Sequence, residues 1–190
     1  MADASSTTLE HCLLGLLSLM PGTGYDVMRV FETTPLAHFS SSPGAIYPAL
    51  KRLHRRGLLD DRLDTSTEAR PRRIYSLSPD GGRVLDEWLR RPVTREELIR
   101  AGGAPILRFS LMEGRLTPRE VVEYLLGYRA VVREYLAELY DWRTRIAEAA
   151  GLHQRLALED GIRGYEATAG WVDHAIEVIE AAQESGTQKG

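Results

Sequence analysis

Two clusters of basic side chains in the first half of the chain are the residues best suited to binding chemistry. The first cluster comprises Lys51, Arg52, Arg55 and Arg56, and the second comprises Arg70, Arg72 and Arg73. Ammonium and guanidinium groups are the usual partners of phosphate oxygens, so these clusters indicate a polyanionic ligand. Four acidic side chains lie between them in the sequence, so the two clusters can act together only if the fold brings them side by side.

Residues that could catalyse a reaction or bind a metal are dispersed. The five histidines are His11, His38, His54, His153 and His174. The sequence has no Gly-rich phosphate loop, no G-x-S-x-G and no H-E-x-x-H. His11 and Cys12 are neighbours on a predicted helix, so their side chains point in different directions. We therefore expect neither an enzyme nor a cofactor or metal site, and we expect Cys12 to be a packed thiol.

Composition sets further limits on the class of protein. The chain has 190 residues, a formal net charge of −3 and one cysteine, which excludes an internal disulfide and favours a reducing compartment. We expect no membrane span and no signal peptide, and therefore a cytoplasmic protein. A net charge of −3 would argue against a nucleic-acid ligand, but the charge is unevenly distributed. Residues 1–91 carry +1 and residues 92–190 carry −4.

The elements of the first half position the two clusters. Helical spacing predicts helices over 8–20, 24–33 and 43–56, the last ended by Gly57. Two partly alternating segments, 58–64 and 72–78, predict a β-hairpin, and a fourth helix follows Ser78. This α-α-α-β-β-α order is the plan of a winged helix-turn-helix domain, in which the third helix enters the major groove and the hairpin, or wing, lies along the backbone.

This plan assigns roles to residues of the third helix and the wing. Short hydroxyls at the helix start suit a phosphate oxygen, two small residues allow close approach to the groove, and Tyr47 lies opposite the apolar face. Side chains alternate along a strand, so the three wing arginines cannot all face DNA. The predicted DNA contacts are Ser41, Ser42, Gly44, Ala45, Tyr47, Lys51, Arg52, Arg70, Arg72 and Arg73.

The second half predicts two long helices. Apolar residues recur at alternating spacings of four and three from Val121 to Ala149 and from Leu158 to Ile179, with Gly151 as the joint. Several large side chains at the edges of these stripes need another partner, which indicates a homodimer; the alternative is a monomeric two-helix appendix. The predicted dimer interface is Leu136, Tyr140, Trp142, Trp171, Ile176, Val178 and Ile179.

The domain division follows from these patterns. We predict a mainly α-helical protein with a small β-hairpin: a winged helix-turn-helix domain at 1–91, a connecting segment at 92–117, a helical dimerisation and possible effector domain at 118–183 and a disordered tail at 184–190.

Three segments also resemble the PadR family of bacterial transcriptional regulators. They are Gly24 to Val27, Ser42 to Leu59 with its Tyr47-Pro48 pair, and Arg72 to Gly81. The resemblance covers about residues 9–91, and the two-helix remainder is similar to the longer C-terminal domain of one PadR subfamily. It implies dimerisation through the C-terminal helices. The wing has Pro71 and no glycine, and so departs from the family's usual glycine-bearing tip.

The resemblance also implies a small effector, because members of the family respond to phenolic acids or to hydrophobic drugs. The aromatic and soft side chains of the second half are compatible with an aromatic pocket, although such side chains at helical spacing more often form a core. The candidate pocket residues are Phe109, Met112, Tyr124, Tyr128, Tyr165, Trp171 and His174. Binding there would change the spacing of the two recognition helices and lower operator affinity.

The sequence therefore predicts a DNA-binding transcriptional regulator, a repressor that binds a palindromic operator as a homodimer and is released by a small aromatic or hydrophobic effector. The alternative is a winged-helix module for protein–protein interaction, whose basic residues are merely solvated. The two differ in salt behaviour, because specific binding to DNA weakens steeply as salt rises.

Overall fold

The computed structural model describes residues 6–34, 42–64, 72–101 and 103–187. The chain forms two compact units: residues 1–91 with 106–115, and residues 92–105 with 116–190. The described part is mainly helical with one small antiparallel sheet. Within it, no helix is both long enough and apolar enough to cross a membrane.

The first unit begins with two helices that each have a capping box at the N-terminus. Helix α1 spans Thr8–Leu19 and helix α2 spans Gly24–Thr33. Thr7 caps α1 in a reciprocal capping box with Glu10, and Thr23 caps α2 in the same way with Asp26. Both helices were predicted from their apolar spacing. A two-residue strand, β1 (Gly22–Thr23), lies between them and was not predicted.

Helix α3 and the wing complete the predicted order. Helix α3 spans Pro43–Arg55, strands β2 and β3 span Leu59–Asp64 and Arg72–Leu77, and α4 spans Pro79–Leu89. Gly57 has a φ of 71°, a left-handed conformation that ends α3 and turns the chain into β2. The predicted hairpin is confirmed, but β1 pairs with β3 as well, giving a three-stranded antiparallel sheet of order β1-β3-β2.

An apolar core holds this first unit together. Side chains of α1, α3 and α4 form most of it, and the exposed fraction of most core side chains is at or near zero. Met20, which the apolar spacing of segment 8–20 placed on the same face as Leu13 and Leu17, is 65 % exposed. The predicted packed thiol is confirmed, because Cys12 is 1 % exposed and burial raises its pKa to about 12. The largest contributors to the core are Leu13, Leu14, Phe31, Ile46, Leu50, Leu53, Leu59, Leu85, Trp88 and Leu89.

Two more helices lie in the segment predicted to be a connection. Helix α5 spans Arg95–Arg100 and helix α6 spans Ala104–Ser110. Residues 106–115 group with the first unit, and residues 92–105 group with the second. The segment is therefore divided between the two units, whereas the sequence predicted a separate connecting segment over 92–117.

The second unit is built on the two predicted long helices. Helix α7 spans Pro118–Ile146 and α8 spans Leu152–Thr187, joined at Gly151 as predicted. They run antiparallel: Asp173 of α8 accepts hydrogen bonds from Arg129 and Arg133, and Tyr140 of α7 donates to Glu166. Helix α8 continues through Thr187, whereas the sequence predicted a disordered tail from residue 184. Residues 188–190 lie outside the described residues.

Burial within this unit corrects part of the predicted dimer interface. Leu136 and Ile176 are each only 6 % exposed, because α7 and α8 pack along each other. They belong to the intramolecular core and leave little surface for a second chain. Trp142 and Val178 are about half exposed, at 48 % and 52 %, while Tyr140, Trp171 and Ile179 are half-buried.

Candidate nucleic-acid interface

Helix α3 and strand β3 share an open groove of about 790 Å³ in the first unit. Three cationic side chains of α3 and one of β3 contribute to its lining, so the two basic clusters of the sequence meet at one surface. The two clusters can therefore contact one ligand together, which the sequence alone could not establish. The lining residues are Pro48, Lys51, Arg52, His54, Arg55, Arg73 and Tyr75.

Tyr47 lies on the outward face of α3 and rests on α2. Its neighbour Ile46 is fully buried, while Tyr47 is 40 % exposed. A Cβ atom added to Gly24 would lie 2.5 Å from Cε1 and 3.0 Å from Cδ1 of the Tyr47 ring. Only glycine therefore allows the ring this close to α2. The Gly24-Tyr25 pair and the Tyr47-Pro48 pair, which carry much of the resemblance, are thus linked in space through the Gly24–Tyr47 contact.

Arg52 lines the groove and also pairs with an acidic residue of α1. Its Nε donates to Glu10 Oε1 at 2.9 Å, and Nη1 of Arg56 donates to Glu10 Oε2 at 3.3 Å. The Glu10 side chain is 4 % exposed, whereas those of Arg52 and Arg56 are 45 % and 32 % exposed. Glu10 thus ties the C-terminal half of α3 to the start of α1. Arg52 has a structural role that the sequence prediction, which assigned it to phosphate, did not include.

Strand alternation places Arg72 and Arg73 on opposite faces of β3, whereas the sequence predicted only that the three wing arginines cannot all face DNA. Arg73 lines the groove, and its Nη1 lies 3.2 Å from Oδ2 of Asp61 on β2. Arg72 points to the other face of the strand, toward α2. Hydrogen bonds from Thr23 lower the pKa of Asp26 in α2, and the charge of Arg72 adds to that lowering. Of these two residues, Arg73 is therefore the one that faces the groove.

The remaining predicted contacts lie at the start of α3. Ser42 is the N-cap residue and is exposed, Gly44 is exposed, and Ala45 is half-buried. Two of these three residues are therefore accessible at the first turn of the helix. Ser41 and Arg70 lie outside the described residues.

His54 and Arg55 are groove residues that the predicted contact set omitted. His54 Nε2 lies 2.7 Å from Asp61 Oδ1, and the His54 ring meets Tyr75 edge-on at 6.2 Å between centroids. Both residues follow Lys51 by three or four positions, the spacing that puts helix residues on one face. That spacing was the signal in the sequence that could have identified them.

The candidate effector residues are divided between the two units. Phe109 and Met112 belong to the first unit, where Met112 is buried at 1 % exposure. In the second unit, Tyr124 donates to the carbonyl of Pro105 at 2.9 Å, and burial raises the pKa of Tyr128 to about 12. Packing therefore accounts for these two tyrosines. The other three candidates are half-buried (Tyr165, Trp171) or exposed (His174).

Among the histidines that the structure describes in the first unit, His11 is the one with a strongly shifted pKa, and its ring is packed in the core. His11 stacks on Trp88 at 4.8 Å between centroids, and the guanidinium of Arg108 lies 4.9 Å from the centre of the Trp88 ring. Burial, reinforced by the charge of Arg91, lowers the pKa of His11 to about 4. Among the described residues, no three His, Cys, Asp or Glu side chains are grouped to hold a metal ion.

Two family profiles match the chain, one in each half. The Transcriptional regulator PadR-like family matches residues 13–87, which contain the groove, and the Virulence activator alpha C-term family matches residues 111–180. A probable transcriptional regulator of Mycobacterium tuberculosis is 26 % identical over 195 residues, covering 93 % of this chain and 98 % of the relative. The negative transcriptional regulator PadR of Bacillus subtilis is 30 % identical over 83 residues, covering 44 % of this chain and 46 % of PadR.

Solved structures of Bacillus subtilis PadR are also similar. The complex with operator DNA is 20 % identical with a TM-score of 0.42, covering 91 % of this chain and 99 % of that one. The complex with p-coumaric acid is 20 % identical with a TM-score of 0.38, covering 95 % and 99 %. Residues 13–87 therefore contain a domain of the PadR-like family of transcriptional regulators.

Proposed function

We propose that the protein regulates transcription by binding double-stranded DNA through α3 and the wing, as a homodimer on a palindromic operator. The observation that carries this proposal is the shared groove, where Lys51 and Arg55 of α3 lie beside Arg73 of β3. A helix and a neighbouring hairpin with cations on one common surface match the way a winged helix holds a duplex. The positive charge is concentrated at that surface although the whole chain carries −3.

Each element then has its own part in recognition. The first turn of α3, with Ser42, Gly44 and Ala45, approaches the edges of the bases, where small side chains permit close contact. Lys51 and Arg55, further along the helix, bind phosphate, and Arg73 binds the phosphate backbone beside the wing. Tyr47 lies at the α2–α3 contact, with its exposed part directed outward.

Dimerisation doubles these contacts and explains a palindromic target. A twofold axis relates two identical recognition helices, so the DNA site has the same symmetry. The exposed apolar residues of α7 and α8 support such an interface in the second unit. They comprise the predicted Trp142 and Val178, together with Leu126, Leu152 and Leu156, which are 40–60 % exposed and were not predicted. Contact with a second copy would remove this apolar surface from water.

Repression and release by an effector form the finer part of the proposal. A dimer seated on an operator excludes other proteins from that DNA, which is the simplest route to repression. A small aromatic or hydrophobic ligand would bind beside Tyr165, Trp171 and His174 of α8, the candidates that remain at least partly exposed. Binding there would release DNA if it favoured a different spacing of the two recognition helices.

A titration of DNA with increasing salt tests the proposal. Fluorescently labelled duplex from the region upstream of the protein's own gene is compared with a random duplex of equal length, between low and moderate salt. We expect tighter binding to the upstream duplex and a log–log slope of about −0.9 for each phosphate neutralised. Equal affinity for the two duplexes throughout would contradict specific recognition.

Adding p-coumaric acid to the preformed complex tests release, for which we expect a loss of bound DNA.

A further inference from the structure

Asp61 is an acidic residue that contacts two of the residues lining the groove. It lies on β2, in register with Tyr75 of β3, and Arg73 is two residues away on the same face of the sheet. One carboxylate oxygen, Oδ1, lies 2.7 Å from Nε2 of His54, and the other, Oδ2, lies 3.2 Å from Nη1 of Arg73. A single carboxylate therefore connects the wing to the recognition helix. Both of its partners line the groove.

The three groups of this cluster differ in exposure. The Asp61 side chain is 23 % exposed and that of His54 is 34 % exposed. Arg73 is more open, at 51 %. Its guanidinium is therefore held at one end by Asp61 while much of it remains accessible to a second anion.

We propose that Asp61 is a positioning residue that holds Arg73 and His54 in place and competes with DNA phosphate for them, which limits binding to DNA of arbitrary sequence. This inference rests on the proposed function of DNA binding. A duplex of arbitrary sequence binds almost only through its phosphates. An arginine that already has an anionic partner contributes less to such binding, because the phosphate must replace that partner. A duplex with matching bases gains further contacts to α3 that offset this cost.

The neighbouring residue Asp60 provides a matched control. It has the same side chain and is exposed, but it points to the opposite face of β2, in register with Ser76. The substitutions Asp61→Asn and Asp60→Asn remove the same charge from adjacent positions of one strand. Any difference between them reports the contact with Arg73 and His54 rather than the net charge of the protein.

The experiment measures binding of the full chain to a labelled random duplex of about 20 base pairs over a range of salt. Relative to Asp60→Asn, we expect Asp61→Asn to bind about three- to tenfold more tightly, the effect of one nearby unit charge at a surface. We also expect its log–log salt slope to be steeper by about 0.9, because Arg73 becomes available to one more phosphate. Asp61→Glu, which restores the carboxylate, should bind close to the level of the unmodified protein.

The results of these measurements either support or overturn the proposed role of Asp61. Tighter binding and a steeper slope only for Asp61→Asn, both abolished when Arg73→Ala is added, support the inference. Equal behaviour of the Asp60 and Asp61 variants, or weaker binding by Asp61→Asn with an unchanged melting temperature, overturns it while leaving DNA binding intact. A complete lack of duplex binding by the unmodified protein would overturn the proposed function and this inference together.

Discussion

Arg52 of α3 donates its Nε hydrogen to Glu10 of α1 across 2.9 Å, at a carboxylate that is almost completely buried. The recognition helix is thus attached to the first helix by an ion pair as well as by apolar packing. The same carboxylate closes the N-terminus of α1 through the backbone N–H of Thr7, at 3.2 Å. Glu10 therefore connects the start of one helix to the end of another.

The substitution Glu10→Gln should destabilise the first unit. It removes the charge that Arg52 and Arg56 share and weakens the capping box, and breaking hydrogen bonds to a buried charged group costs about 1–3 kcal/mol. The free energy of unfolding, measured by urea denaturation, should fall by this amount. Glu32→Gln, an exposed position on α2, is the control and should change the free energy of unfolding by less than about 0.5 kcal/mol. Equal effects of the two substitutions would contradict the role of Glu10.

Gly24 and Tyr47 form a second coupled pair. Gly24→Ala places a Cβ at 2.5 Å from the tyrosine ring, and such overpacking costs about 1–3 kcal/mol. In a Tyr47→Ala background the added methyl group meets no ring, so Gly24→Ala should become neutral or slightly stabilising. A double-mutant cycle of unfolding free energies measures the coupling. Additive effects would show that the contact does not constrain position 24.

The two wing arginines should differ in their contribution to DNA binding. Arg73 lines the groove, so Arg73→Ala should weaken binding to the upstream duplex and reduce the log–log salt slope measured with that duplex by about 0.9. Arg72 lies on the opposite face of β3, so Arg72→Ala is its matched control and should leave the slope nearly unchanged. Fluorescence anisotropy at several salt concentrations makes the comparison. The reverse order of effects would place the other face of the wing against DNA.

His11 makes stability depend on pH. Its pKa is lowered from 6.5 to about 4 in the folded protein, so the unfolded chain binds more protons between these values. Stability from the neutral, buried ring is complete above pH 6.5 and declines as the pH falls toward 4, by on the order of 2–3 kcal/mol. Urea denaturation at pH 7.5, 6.5 and 5.5 should show this decline.

The matched variant for this effect is His11→Phe, which keeps an aromatic ring against Trp88 but cannot bind a proton. We expect a flatter dependence of unfolding free energy on pH across the same range. His174→Gln removes an exposed histidine and should preserve the original dependence. An unaltered pH dependence in His11→Phe would assign the effect to other groups.

The homodimer can be tested by placing charge on its proposed surface. Val178→Asp and Trp142→Asp each bring a carboxylate into contact with the second copy, so both should shift the protein from dimer to monomer in sedimentation experiments. Glu180→Gln alters charge elsewhere on α8 and should remain dimeric. A dimer that survives both aspartate substitutions would locate the interface on another surface.

The sequence predicted the elements whose signals are local. Apolar spacing identified α7 and α8, and Gly57 marked the end of α3, because periodicity and caps act within a few residues. Strand β1 was not predicted, because its two residues are too few to show a periodic pattern. They form a strand only by pairing with Ile74 and Tyr75. Helices α5 and α6 escaped because each is too short to repeat an apolar pattern.

The candidate site, like the fold, was predicted only in the part that depends on local sequence signals. Its location on α3 and the wing followed from the order of elements and the basic clusters. The partners of the cations did not, since Glu10 is 42 positions from Arg52 and nothing in the sequence links them. A carboxylate tied to distant arginines looks, in the sequence, like any solvated acidic residue. Burial alone separated Leu136 and Ile176 from Trp142 and Val178, although all four lie on the two long helices.

The buried thiol of Cys12 has a practical consequence for labelling the protein at one chosen position. Burial both raises the pKa of Cys12, which keeps the thiol protonated at neutral pH, and shields its sulfur from alkylating reagents. A cysteine introduced at the exposed wing position Arg62 would be the one reactive thiol of the chain. Spin or fluorescent labels at that position would report the distance between the two wings of a dimer, with Cys12 left in its core.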